Sequence, residues 1–221
     1  MAGVCAGSWV SLYWLTYTKN RIEHMQRIIL ASTSKYRRAQ LEQLGIPFEA
    51  HASHVDEEAL KAEELSVQDL ALALARLKAE ALAESFPDAL LIGGDQIAEV
   101  DGEILNKPET FENACAQLKR LSGRAHHLWT AIAIHQPSTG RTEQFIEQHI
   151  MNVRPLTDGQ IEYYVKHDMP LDCCGSYKIE SMGISLFSSI EGKDHSAIVG
   201  VPLMQLVTTL QTFGVQWPPS V

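Results

Sequence analysis

The chain has 221 residues, of which 45% are hydrophobic, 20% charged and 7% aromatic. These proportions exclude a disordered or collagen-like chain and suit one ordinary domain or two small lobes. Eighteen basic against 27 acidic side chains give a net charge of −9, which disfavours broad attraction to nucleic acid or anionic lipid. Anionic ligands are then accommodated only where cations cluster locally.

The four cysteines, Cys5, Cys115, Cys173 and Cys174, form no CxxC pair and no zinc spacing, which points to a reducing, cytoplasmic setting. The first eighteen residues carry no charge and hold Trp9, Tyr13, Trp14 and Tyr17. They lack a basic n-region, and Gly and Ser dilute a stretch shorter than the ~20 apolar residues of a membrane span. Residues 1–24 therefore read as an N-terminal extension, disordered or preceding the true start at Met25, with one domain over 25–221.

The apolar run Arg27–Ala31 predicts a strand, Ser32–Ser34 a polar turn, and the stretch to Gly45 a helix with Ser34 as its N-cap. Phe48–His51 is a candidate second strand, followed by an acidic loop, Val55–Glu58. Ser66 with Asp69 starts a long helix to about Ser85, with Leu70, Leu74, Leu77 and Ala81 as its buried stripe. Ala89–Gly93 reads as a buried strand, which places Asp95 at a strand end, and Asp101–Gly102 as a hairpin turn. An amphipathic helix over Phe111–Ser122 precedes two alternating runs, His126–His135 and Gln144–Val153, which read as a ribbon. A helix from about Thr157 to Lys166, β-prone segments around Tyr177 and Leu186, and a helix over Leu203–Phe213 complete an α/β chain without a linker.

Chemistry concentrates in a few places. Ala31–Arg38, ASTSKYRR, brings hydroxyls and the cations Lys35, Arg37 and Arg38 to a helix start, a pattern suited equally to a polyphosphate and to a capped helix with solvated basic residues. Gly93–Gln96, GGDQ, presents a carboxylate that can hold metal, act as general base toward water, or simply end the strand. Glu57 is a candidate companion ligand in an otherwise solvated acidic run. Lys78, beside an apolar stripe, and Lys107, before Pro108, can neutralise phosphate or snorkel. In GSYKIE, Lys178 and Glu180 share a face if the segment is extended. There is no GxxxxGK[ST] and no GxGxxG, and none of the nine histidines has a zinc spacing.

Taken together, ILASTSKYRRAQLEQLGIPFE, Val55-Asp56-Glu57, IGGDQIAEVDGEILNKP, GSYKIE, Gly183-Ile184 and VGVPL resemble the Maf family of nucleotide pyrophosphatases, from about Arg27 to the C-terminal helix. The resemblance implies an α/β fold with a strongly twisted mixed sheet, flanking helices and two lobes around a nucleotide cleft, like inosine-triphosphate pyrophosphatase. It implies hydrolysis between the α and β phosphates with a divalent cation (Mg, Mn or Co), and a homodimer among the assemblies. By position, Asp95 becomes the proton acceptor. Ser32, Arg37, Arg38, Lys78 and Lys107 become phosphate contacts, and Glu57 with Asp95 the metal ligands. Tyr36, Gln96 and Glu180 resemble the specificity positions of the 7-methyl-GTP branch rather than the dTTP/UTP branch. Gly94 in place of the usual serine, Ser181-Met182 in place of a glycine–aromatic pair, and Ala131 in place of glycine depart from the pattern and bear on base selectivity. The competing readings are a dTTP/UTP pyrophosphatase and a nucleotide-binding regulator of septum formation.

Overall fold

In the computed structural model, which describes residues 26–61 and 63–218, the apolar run opens the sheet as β1 (Ile28–Ala31), buried along its whole length. The expected extension and Cys5 lie outside the described residues. Ser34 caps α1 (Lys35–Gln43), its side chain accepting from the Arg37 N–H, and Gly45 closes the helix at φ +65°. After β2 (Glu49–His51), the acidic loop is irregular through Glu57, as expected, and its last residue, Glu58, begins a single turn, α2 (Glu58–Lys61).

The long helix α3 (Val67–Glu80) starts as expected at Ser66, which accepts from the Asp69 N–H, but ends earlier and buries only Leu70 and Leu74 of the expected stripe. Leu70, Ala71, Leu74, Ala75 and Ala79 are buried, whereas Leu77 is half-buried and Ala81 exposed. The reason is close packing. The alanines at i, i+4 and i+8 let the helix backbone settle onto Gly93 of the next strand.

That strand, β3 (Leu90–Val100), runs well past Gly93 because its antiparallel register with β5 (Ala125–Gln136) is unbroken from Leu91↔His135 to Glu99↔His127. Asp95 therefore lies in mid-strand and not at a strand end. The Asp101–Gly102 turn, with both residues at positive φ, returns the chain into β4 (Glu103–Leu105). Helix α4 (Phe111–Leu121) buries Ala114, Leu118 and Leu121, and β6 (Arg141–Val153) completes the ribbon with β5. Helix α5 (Asp158–Asp168) begins at a capping box of Thr157 and Gln160.

Of the β-prone segments expected around Tyr177 and Leu186, the second forms β7 (Phe187–Glu191), preceded by a 3-10 turn over Met182–Leu186, whereas Tyr177 follows another 3-10 turn, Cys174–Ser176, and joins no strand. Single-turn α6 (Ser196–Val199) and helix α7 (Leu203–Thr212) end the fold. The seven-stranded sheet has the order β2-β1-β3-β5-β6-β7, with β4 on β3. Since β1 is parallel to β2 and β3 and the remaining pairs are antiparallel, the sheet is mixed, as expected, with helices on its flanks.

The long strands serve two cores. At one end Leu90, Ile92, Ile132 and Ile134 pack with α1 and α7, while Leu91, Ala131 and Ala133 pack with α3 on the other face. At the far end Ala98, Val100, Leu128, Met151 and Val153 pack with α4 and α5. Residues 93–97 of β3 form the waist between these lobes.

Candidate active site

The waist is also where the sheet has an open edge. β3 pairs with β1 over Leu90–Ile92 and with β4 over Ala98–Val100. Among the described residues no strand covers that edge over 93–97. A cavity of about 860 Å³ opens there, beyond the carboxyl end of β1, where ligands of open α/β sheets commonly bind. Strand alternation then sorts the side chains: 91, 93, 95 and 97 turn toward α3, and 90, 92, 94 and 96 toward α1, α6 and α7.

Asp95 meets Lys78 across this interface. The Lys78 Nζ donates to Asp95 Oδ1 at 2.6 Å and lies 2.8 Å from Glu57 Oε1, so one ammonium bridges two carboxylates. The Lys78 and Asp95 side chains are only 13% and 12% exposed, whereas Glu57 is 34% exposed. Lys61 Nζ approaches Glu57 Oε2 at 3.7 Å and Glu58 Oε1 at 2.9 Å. Burial alone would raise the Glu57 carboxyl, but the hydrogen bond and charge of Lys78, with Lys61 and Lys107 behind it, hold it below the usual carboxylate range.

Arg37 enters from the opposite face. Its Nε donates to the Gly200 carbonyl at 3.2 Å, and the absence of a side chain at Gly94 leaves room for it, since a Cβ there would stand 3.3 Å from that Nε. Burial lowers the guanidinium pKa, and Asp95, Cys174 and Glu57 partly restore it. Gln96 gives its amide nitrogen to Ala197 O, Thr130 Oγ1 and Ile198 O at 2.9, 3.0 and 3.1 Å, and Thr130 Oγ1 donates to Ala197 O at 2.9 Å. Gln40 Nε2 donates to Ser196 O at 2.6 Å. The carbonyls of α6, too short a helix to satisfy them internally, are thus held by α1, β3 and β5. At its start, Asp194 accepts from the Ser196 and Met204 N–H groups. Ile198, Val199 and Gly200 of this clasped segment form a wall of the cavity.

Tyr36, Lys107 and Glu180 also line the cavity. The Tyr36 hydroxyl lies 3.5 Å from Asp172 Oδ1 and 3.8 Å from Cys173 Sγ, and Lys35 Nζ sits 4.9 Å over the Tyr36 ring while lying 3.3 Å from Asp172 Oδ2. Burial, with the charges of Cys173, Asp172 and Glu180, pushes the Tyr36 phenol well above its ordinary pKa. GSYKIE is not extended, and its two charged residues separate. Lys178 Nζ donates to Asp168 O and Met169 O at the end of α5, while Glu180 reaches the cavity.

Ser32 and Arg38 do not line it. Ser32 Oγ accepts from the Ser34 N–H and shapes the turn. Arg38, about 100° around α1 from Arg37, borders a shallower hollow with Glu42 and Phe48. Lys61, Asp172, Cys173 and Cys174 join the lining without having been singled out from sequence. Only Lys61 carries a local sign, its i, i+4 spacing from Glu57.

Carboxylates outnumber cations along the lining, and two of them, Glu57 and Asp95, converge on one point. Two hard oxygen donors suit a Mg²⁺-type ion that completes its shell with water and phosphate oxygens. Among the described residues no group of three or more His, Cys, Asp or Glu could hold a metal unaided, Cys115, Cys173 and Cys174 are free thiols, and no helix is long and apolar enough to cross a membrane.

The chain is similar to two solved structures, both matched over their full length. The Ham1 protein of Staphylococcus aureus is 17% identical over 84% of this chain, with a TM-score of 0.47. A Ham1 protein from Coxiella burnetii is 16% identical over 85%, with a TM-score of 0.40. The model of the family described as Maf-like protein matches residues 27–213, which includes both lobes and every cavity residue named above, and the chain belongs to this family of nucleotide pyrophosphatases.

Proposed function

We propose that residues 25–221 act as one catalytic domain that hydrolyses the α–β phosphoanhydride of a nucleoside triphosphate, with 7-methyl-GTP as the preferred substrate. The observation that carries this is the meeting of Asp95, Lys78, Glu57 and Arg37 on one cavity at the sheet's open edge. Members of the family generally show nucleoside triphosphate pyrophosphatase activity and use divalent metals.

In this reading Asp95 accepts a proton from the attacking water. The water oxygen bonds to the α-phosphorus, the bond from that phosphorus to the α–β bridging oxygen breaks, and pyrophosphate leaves with the bonding pair. Arg37, Lys78 and Lys107 neutralise phosphate charge, and positions 32 and 38 act through the turn and the helix surface. Glu57 and Asp95 would hold the divalent cation, which supplies further neutralisation of a highly anionic substrate in a carboxylate-rich cavity.

The base preference rests on charge. Tyr36 and Asp172 together already hold one cation, the Lys35 ammonium, against an aromatic face and a carboxylate. A methylated, positively charged purine gains from the same pair, and Glu180 can accept from the N–H groups of the guanine edge.

The test is a panel of 7-methyl-GTP, GTP, UTP and dTTP with Mg²⁺ or Mn²⁺, followed by product analysis. Pyrophosphate with a monophosphate, fastest from 7-methyl-GTP, is expected. Orthophosphate with a diphosphate would move the cut to the outer bond. Faster turnover of pyrimidine nucleotides would assign the dTTP/UTP specificity, and binding without turnover would favour the regulator.

A further inference from the structure

Glu57 and Asp95 present two carboxylates to one point, and that point is already taken. The Lys78 ammonium lies 2.8 Å from one and 2.6 Å from the other. Withdrawal of the lysine as a whole is blocked. α3 is seated on β3 where Ala75 and Ala79, three residues before Lys78 and one after it, press against Gly93, so only rotation of the side chain can move the charge. Lys61 adds a second cation on the outer oxygen of Glu57. No third His, Cys, Asp or Glu is close enough among the described residues to strengthen the pair as a metal site.

We infer that Lys78 serves as a built-in counter-ion that keeps divalent metal off Glu57 and Asp95 until a triphosphate offers the ammonium another anionic partner. This rests on the function proposed above. A divalent ion approaching the cavity without a nucleotide either meets a like charge between its two ligands or must displace it. A phosphate chain in the same cavity gives Lys78 oxygens to turn toward, and it brings ligands of its own for the metal. Metal and nucleotide then bind cooperatively, each improving the site for the other, as linkage requires.

The experiment titrates the full-length protein with Mn²⁺ and reads free aqueous Mn²⁺ by electron paramagnetic resonance, with and without an α,β-methylene guanosine triphosphate. Wild type is expected to bind Mn²⁺ weakly alone and at least tenfold more tightly with the analogue. Lys78→Gln should tighten nucleotide-free binding at least tenfold, whereas Lys78→Arg, which keeps the charge, should leave it weak. Far-UV circular dichroism establishes that each variant is folded. Tight Mn²⁺ binding by nucleotide-free wild type, a measurement needing no variant, overturns the inference. So does equal binding by wild type and a folded Lys78→Gln. If Lys78→Gln tightens Mn²⁺ binding while the analogue fails to bind at all, the counter-ion assignment stands and the nucleotide reading falls.

Discussion

Gly93 lies so close to Ala75 that a Cβ on it would stand 2.1 Å from the Ala75 carbonyl oxygen and 2.5 Å from the Ala79 amide nitrogen. The contact is backbone against backbone, and it sets the depth at which Lys78 meets Asp95. Gly93→Ala must push α3 off the sheet, at a cost of about 3 kcal/mol or more, because neither partner can give way by a side-chain rotation. Urea denaturation measures the loss, and nucleotide turnover should fall more than the remaining folded fraction explains.

Asp95→Asn keeps the size of the side chain and its hydrogen bonding but removes the proton acceptor. Turnover is expected to fall by roughly 10²–10⁴ while nucleotide binding, measured by calorimetry, persists. Turnover at the wild-type rate would remove Asp95 from the role of base.

Gln96 spends its amide nitrogen on α6 and Thr130, so its contribution is to hold the wall that carries Ile198 and Gly200. Gln96→Leu should raise KM by about tenfold, the equivalent of one or two lost hydrogen bonds, and by the same factor for 7-methyl-GTP, GTP and UTP. A change in the order of preference would instead place Gln96 against the base.

Acid should weaken the fold before its carboxylates begin to protonate. Burial, with a smaller contribution from His127, lowers the His126 pKa from 6.5 to about 4, and burial also lowers that of His149. Between these values the unfolded chain binds a proton that the folded chain refuses, so stability falls as pH drops from 6.5 toward 4, by on the order of 3 kcal/mol for His126. Glu57, also depressed in the folded state, adds its own loss only below its ordinary value of 4.5. Urea midpoints at pH 7.0 and 5.0 should differ in wild type and differ less in His126→Asn.

Much of this molecule was legible in its sequence because local signals and tertiary packing agree. Ser34, Ser66 and Thr157 cap helices where their hydroxyls can accept from the first turn, and Asp101-Gly102 turns the chain where positive φ is needed. The stripe of α3 agrees with its sequence at Leu70 and Leu74 and departs at Leu77 and Ala81, because Leu77 fits a leucine periodicity while the sheet selects the alanine side that permits close approach to Gly93. The mid-strand position of Asp95 depends on its register with β5, which no local residue encodes. In the site, Asp95, Lys78, Glu57 and Arg37 stand in recognisable motifs. Asp172 and Cys173 do not, because only the turn before Tyr177 carries them to the Tyr36 hydroxyl. Arg38 and Arg37 are alike in sequence and differ only by rotation around α1.

The bond from Arg37 to Gly200 spans 163 positions of the chain, and those from Gln96 to Ala197 and Ile198 span 101 and 102. Such contacts close loops of more than a hundred residues, so the strands through β7 can pair before the segment that becomes α6 is clasped. The segment before Ser196 carries every strand among the described residues but lacks one wall of the cavity, so a sheet that has formed in full still has no finished pocket until Ile198, Val199 and Gly200 are clasped onto it.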